Sequence, residues 1–200
     1  MTAQIHIPIY LDFHPSAIIH AAWLALGLYW LAASITKKVA RKRQPSGERV
    51  AHLLYMAIAF VFLGRDDPRF GPLNDSFLPD KPWIAYLGAA ITVLGVAFAI
   101  WARWHIGRNW SAEVTIKKDH KLIRTGPYAH IRHPIYTGFL LAALGTAIAV
   151  GEYRGLVALV LLIVGFVFKA RREEEFLATE FGPAFEDHKL HTGFFLPRFS

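Results

Sequence analysis

The chain has no cysteine among its 200 residues. It can therefore form no disulfide, thiolate nucleophile or Cys-ligated metal, and its redox compartment goes unmarked. Lys and Arg are missing from the first fifteen residues, so the positive start of a secretory signal peptide is absent and the first apolar run is expected to stay in the mature protein. Ionisable residues are scarce inside the apolar runs, which leaves a transporter without the charged pathway it needs. There is no internal repeat and no low-complexity tract.

What is present is largely hydrophobic: 54% of residues, with 14% aromatic and a mean hydropathy of +0.32. This is too apolar for an ordinary soluble domain of this length, so residues 1–200 are expected to form a single all-α integral membrane domain. The formal charge of +7 and pI near 9.8 fit cytoplasmic loops facing anionic lipid better than nucleic acid.

About five transmembrane helices are expected. Ser16 to Thr36, capped by Ser16 and stopped by Lys37-Lys38, has about the ~20 residues that cross a hydrocarbon core. After a basic linker with a Gln44-Pro45-Ser46-Gly47 turn, Val50 to Gly64 is shorter, and an interfacial or re-entrant segment is its alternative. The polar stretch from Arg65 to Lys81 reads as an ordered loop. Trp83 to Ile106 follows Pro82, which suits a first helical turn. Pro134 to Gly151 is the fourth span. A tight turn at Glu152-Tyr153-Arg154 leads to Gly155–Phe168, after which the tail begins as a charged helical extension. Gly88, Thr92, Gly95 and Ala99 recur on one face of the third span, and Gly138, Ala142, Gly145 and Ala149 on the fourth. Small residues at this spacing are candidate packing seams or simply a common feature of membrane helices.

Lys and Arg divide unevenly between the two sides of this layout: eighteen of the twenty-two fall on one side. The positive-inside rule then places the N-terminus outside and the C-terminus in the cytosol, with both chemically dense stretches on the cytosolic face. Charge alone also tolerates a four-span layout without the second span.

The first dense stretch, His120 to Gly138, connects the third and fourth spans. Its histidines, His120, His130 and His133, match no metal-ligand spacing and have no carboxylate beside them, so no metal is expected. No serine lies in a nucleophile-elbow setting. The composition suits a small polar ligand carrying both charges: Arg and Lys for an anion, Tyr and His for a heterocycle, and Gly126-Pro127 for close backbone approach. Arg132 would orient the acceptor or a ligand carboxylate, or else anchor the connector to lipid phosphate. The second dense stretch, Phe168 to Phe185, puts three carboxylates in a row beyond the membrane. Lys169 with Glu173 and Arg171 with Glu175 have the spacing of surface ion pairs. Three adjacent carboxylates make more sense if one neutralises a bound cation.

Together, GPYAHIRHPIYTG and the later REEEFLATEFGPAFEDH resemble the integral-membrane methyltransferases that include isoprenylcysteine carboxyl methyltransferase and the phospholipid methyltransferases. The resemblance covers a catalytic region at roughly 109–199. It implies a helical enzyme whose cytosolic pocket, formed by the third-to-fourth connector and the C-terminal helix, binds S-adenosylmethionine without a Rossmann sheet. Cofactor contacts carry over onto His120, Lys121, Leu122 and Ile123, then Tyr128, His133, Pro134, Ile135 and Tyr136, and the Glu173-Glu174 pair, with Glu113 a looser match. The family's substrate-side arginine falls on Lys169, which lacks the bidentate fork of Arg, so the match departs from a prenylcysteine carboxylate substrate at that position. Arg171 or Arg172 could substitute.

The implied reaction transfers an activated methyl group to a membrane-embedded acceptor, either a phospholipid amine headgroup or a prenylcysteine carboxylate. Alignment of donor and acceptor supplies most of what such a transfer needs, ~7 to 11 kcal/mol for well-oriented reactants. The alternatives are a sterol-reductase-like enzyme that takes NADPH, or a non-enzymatic transporter or scaffold.

Overall fold

The computed structural model describes residues 14–34, 46–64, 67–107 and 122–199. Among the described residues six α-helices follow one another: α1 (Pro15–Ser34), α2 (Ser46–Gly64), α3 (Pro82–Ile106), α4 (Pro134–Val150), α5 (Tyr153–Phe181) and α6 (Pro183–His191). No extended strand forms among the described residues; pairing is limited to two isolated bridges, Ser76 with Glu152 and Ile131 with Gly193.

Three helices among the described residues, at Pro15–Ala33, Pro82–Ile106 and Tyr153–Phe181, are long and apolar enough to cross a membrane, and Leu53–Gly64 and Pro134–Val150 are shorter apolar helices. Leu24, Leu28, Leu31, Leu94 and Val160 point outward. In water such a surface would aggregate; in a bilayer it faces lipid tails.

The centre of the bundle is the antiparallel pair α3 and α4. Added Cβ atoms show how close the two backbones run: one on Gly88 would lie 2.5 Å from the amide nitrogen of Ala149, and one on Gly138 would lie 2.6 Å from that of Ala99. The small-residue faces of the third and fourth spans therefore are a packing seam. Lipid tails offer helices no hydrophobic reason to associate, so close backbone packing and polar ties hold them together. Thr92 supplies such a tie, its Oγ1 lying 3.0 Å from the Gly88 carbonyl and 3.2 Å from Thr146 Oγ1. Trp23 of α1 donates its indole N–H to Thr146 at 3.1 Å, fastening α1 to the same point.

Several boundaries differ from the sequence expectation. The first helix opens at Pro15, so Ser16 lies within it rather than capping it; the carbonyl of His14 accepts from Ala17 and Ile18. Proline's fixed φ suits that first position. Ser46 and Gly47 belong to α2 rather than to a turn. The turn before the last long helix is made by Gly151, whose φ of 70° and ψ of 7° is the left-handed conformation a helix C-terminus uses, and Tyr153 is already helical. The charged helical extension expected after the fifth apolar run is present: α5 spans 29 residues from Tyr153 to Phe181 and breaks at Gly182. Of the loop expected to be ordered between α2 and α3, residues 67–81 are described and carry a 3-10 helix at Pro68–Asn74.

Candidate active site

The connector re-enters the described structure at Leu122 and docks on the last turn of α3. Gly126 has a φ of 59°, and a Cβ there would lie 2.6 Å from the His105 ring, so this turn needs glycine for both conformation and space. His105 Nε2 and Thr125 Oγ1 are 2.9 Å apart. The next residues form the 3-10 turn Gly126–Ala129, which buries Tyr128 and directs its hydroxyl to the Ala102 carbonyl at 3.4 Å. Burial, and then the negative charge of Glu173, push the Tyr128 hydroxyl well above its usual pKa, so it stays a neutral donor.

Beyond this turn Pro134 opens α4, with His133 at the cap and Tyr136 one turn in. Phe166, Lys169 and Glu173 repeat at three and four residues along α5 and so share the face turned to α4. The Tyr136 ring stacks on Phe166 with centroids 4.8 Å apart and an 18° tilt. Lys169 Nζ sits 5.9 Å from the centre of the Tyr136 ring. The Tyr136 hydroxyl donates to Glu173 Oε1 at 2.5 Å.

Glu173 and Glu174 are adjacent in sequence and diverge by ~100° around the helix. One imidazole bridges them: His133 Nδ1 lies 3.6 Å from Glu173 Oε2, and Nε2 lies 3.2 Å from Glu174 Oε1. The His133 side chain is 4% exposed. Burial alone would lower its pKa, but the two carboxylates outweigh burial and the pKa is raised. An imidazolium between two carboxylates is a positioning charge rather than a base.

Arg132 completes the cluster from the other side. Its Nε meets Glu174 Oε1 at 2.5 Å, and its Nη1 donates to the carbonyls of Lys189, at 3.3 Å, and Thr192. The guanidinium thus ties the connector to α5 and to the end of α6 at once. Glu173 keeps 23% of its side chain exposed and is held by the Tyr136 hydroxyl and by the charges of His133 and Lys169.

Of the residues singled out in the sequence, Arg132, His133, Tyr136, Lys169, Glu173 and Glu174 meet in this one cluster. Pro134 and Ile135 are buried at the start of α4, and Tyr128 is buried beside α3. Leu122 and Ile123 are half-buried on the approach. Arg171 is exposed, ~200° around the helix from both Lys169 and Glu173, and the contacts above do not involve it. Glu113, His120 and Lys121 lie outside the described residues. Glu175, expected to pair with Arg171, pairs with Arg172 at 3.6 Å, both exposed.

Two participants were not singled out. His188 of α6 is buried, and burial together with Arg124 and Arg132 lowers its pKa to about 4, so it is neutral at ordinary pH. The segment after α6 lies against the connector: Gly193 donates to the His130 carbonyl and accepts from Arg132, both at 2.9 Å, and Phe194 accepts from His133 at 3.3 Å. Phe194-Phe195-Leu196-Pro197, an apolar island in a polar tail, is the signal that marks it.

A family model described as phospholipid methyltransferase matches residues 83–184. The chain belongs to that family. The matched span runs from α3 through the connector to α6 and contains the whole charge cluster. Among curated proteins, this family member is 34% identical over 124 residues to the cobalt-zinc-cadmium resistance protein CzcN of Cupriavidus metallidurans, covering 60% of the chain and 54% of that protein. It is 32% identical over 116 residues to a probable protein-S-isoprenylcysteine O-methyltransferase of Oryza sativa subsp. indica, covering 56% of the chain and 61% of that protein. The chain thus spans a little over half the length of these relatives. Its fold is similar to that of a eukaryotic intramembrane Ras methyltransferase, isoprenylcysteine carboxyl methyltransferase, with a TM-score of 0.57 over 95% of this chain and 71% of that one at 21% identity.

Proposed function

We propose that the chain is a membrane methyltransferase that moves a methyl group from S-adenosylmethionine to a lipidic acceptor, a phospholipid amine headgroup or a prenylcysteine carboxylate. The observation that carries this reading is Glu173: a partly exposed carboxylate, oriented by the Tyr136 hydroxyl and by His133, inside the region that defines the family.

The donor set fits such a cofactor. A carboxylate with exposed surface suits a cationic amino group, and the His133 and Tyr136 rings, stacked at 14° with centroids 5.7 Å apart, back that carboxylate. When bound, the cofactor supplies a methyl group already activated on a sulfonium, so the transfer asks for alignment. Glu173 binds and orients. The Tyr136 hydroxyl holds the Glu173 carboxylate in one rotamer, and the positive charge of Lys169 over the Tyr136 ring faces the acceptor. Arg132, spent on Glu174 and two carbonyls, fixes the wall behind them. NADPH instead asks for basic groups toward its phosphates, and this cluster turns a carboxylate to the ligand.

The same reading gives five spans, an outside N-terminus and a cytosolic C-terminus, with the soluble cofactor reaching the site from the cytosol and the acceptor from the bilayer. The charge asymmetry of the loops supports it. Reporters fused near Arg43, Lys118 and the C-terminus are expected to report cytosol and one within 66–80 the outside; a cytosolic signal from 66–80 removes the second span.

Calorimetry on the full chain in detergent tests the activity. S-adenosylhomocysteine is expected to bind and NADPH is not. Binding of NADPH alone overturns the methyltransferase reading.

A further inference from the structure

The segment that follows α6 makes more contact with the cluster than a covering tail requires. Its main chain bonds to that of the connector four times: Gly193 N–H to the His130 carbonyl, Arg132 N–H to Gly193, His133 N–H to Phe194, and Arg198 N–H to the same His130 carbonyl, at 2.9, 2.9, 3.3 and 3.0 Å. Thr137, in the first turn of α4, donates its hydroxyl to the Phe195 carbonyl at 2.7 Å. The turn that makes this possible is tight, since a Cβ on Gly193 would run into the Leu196 carbonyl.

Two rings then meet the cluster directly. Phe194 stands edge-on to His133 at 5.0 Å and 66°, with the Arg132 guanidinium 5.6 Å from its own centre. Phe195 is edge-on to both members of the stacked pair, 6.1 Å from His133 and 6.5 Å from Tyr136. His133 needs such support, because its φ of −121° and ψ of 57° lie outside the helix and α4 does not set its ring. Tyr136 is braced on one side by Phe166 of α5 and on another by Phe195.

We propose that Thr192–Phe195 is a wall of the ligand site and that Phe195 is a positioning residue, holding the His133 and Tyr136 rings so that the Tyr136 hydroxyl and the imidazole stay on Glu173. The proposal rests on the site assignment above and deepens it. Phe195 also keeps water from the Tyr136–Glu173 hydrogen bond, which is stronger in a drier setting. Removing its ring leaves every charged residue in place but lets Glu173 swing.

The test uses the full chain in detergent with Phe195→Ala, Phe195→Leu, Phe195→Tyr and, as a control, Phe199→Ala, whose ring is 77% exposed and rests on His130. Two quantities are read: the calorimetric Kd for S-adenosylhomocysteine and, without ligand, the titration of the His133 imidazole by NMR. An edge-on aromatic contact implies about a three- to tenfold rise in Kd for Phe195→Ala. Phe195→Leu, which keeps apolar bulk, covers the case in which the alanine variant does not fold and is expected to weaken binding as well. Phe195→Tyr restores binding, and Phe199→Ala changes it less than about twofold. In ligand-free Phe195→Ala or Phe195→Leu the His133 titration moves toward that of a solvent-exposed histidine. If both variants bind as tightly as wild type and leave that titration in place, the wall proposal is overturned. If the wild-type chain binds no S-adenosylhomocysteine, the cofactor assignment fails, and the ligand-free titration still decides the role of Phe195.

Discussion

The molecule contains the same ionic device at both ends of the bundle. At one end Arg154 Nε meets Glu152 at 2.5 Å, and its Nη1 reaches the Phe62 and Leu63 carbonyls at 3.1 and 3.5 Å. At the other, Arg132 Nε meets Glu174 at 2.5 Å while its Nη1 serves the Lys189 and Thr192 carbonyls. Both guanidiniums satisfy the open C-terminal carbonyls of another helix, α2 in one case and α6 in the other. The difference lies in the carboxylate. Glu152 stands two residues from Arg154, whereas Glu174 shares His133 with Glu173, whose own charge no arginine consumes. A partly buried Arg–Glu pair is thus no mark of a site. The mark is the second carboxylate beside it, still partly open.

The largest expected effects break the two pairs. Arg154→Met leaves Glu152 uncompensated and Arg132→Met takes from Glu174 one of its two cationic partners, and a loss of about 3 kcal/mol in denaturation resistance is expected from each. Pairing Arg154→Met with Glu152→Leu should recover most of it. Arg132→Met with Glu174→Leu should not, because His133 then loses one of its two anions. Equal recovery in both double variants would make the two ends equivalent and end the contrast drawn here.

A smaller effect, confined to the ligand, sharpens the comparison. A charge-assisted hydrogen bond contributes ~1.5 to 3 kcal/mol, so Glu173→Gln is expected to raise the Kd for S-adenosylhomocysteine by about one to two orders of magnitude. Glu175→Gln, at an exposed surface pair, should leave it nearly unchanged. Equal, small changes in both would move the cofactor away from this cluster.

The smallest effect is on pH. Burial opposes protonation of His133, but Glu173 and Glu174 prevail and raise its pKa. The folded protein therefore holds this proton more tightly than the unfolded chain. That stabilisation is complete below the unfolded value near 6.5 and is lost as pH rises through the folded value. The unfolding midpoint of the ligand-free protein is expected to fall across that window, and His133→Asn should flatten the fall. An unaltered slope in His133→Asn would assign the proton to another group.

The packing seam was legible because close backbone approach demands small side chains, and they recur at helical spacing from Gly88 to Ala99 and from Gly138 to Ala149. The spacing of Glu173, four residues past Lys169, read as that of a surface ion pair, and only the family resemblance pointed to a binding role for it. The role of Arg132 was not legible, since two of its partners are main-chain carbonyls of Lys189 and Thr192, which leave no trace in side-chain pattern. The wall at Thr192–Phe195 was hidden for the same reason: it joins the connector by main-chain bonds between residues about sixty apart. Arg154, a lone cation in a short turn, read as a loop charge, although it closes α2.

Helix α5 joins the two ionic clusters without a break. From Arg154 to Glu173 it rises ~28 Å at 1.5 Å per residue, close to the ~30 Å of an average hydrocarbon core. A helix of that rise can set one charged cluster in each headgroup region, like the jaws of a calliper. In a thinner bilayer it must tilt to keep both jaws hydrated, and tilting carries Glu173 sideways relative to the N-terminus of α4. Under the proposed function, the alignment of the site is in this way coupled to membrane thickness, a property that neither the charge cluster nor the lipid possesses alone.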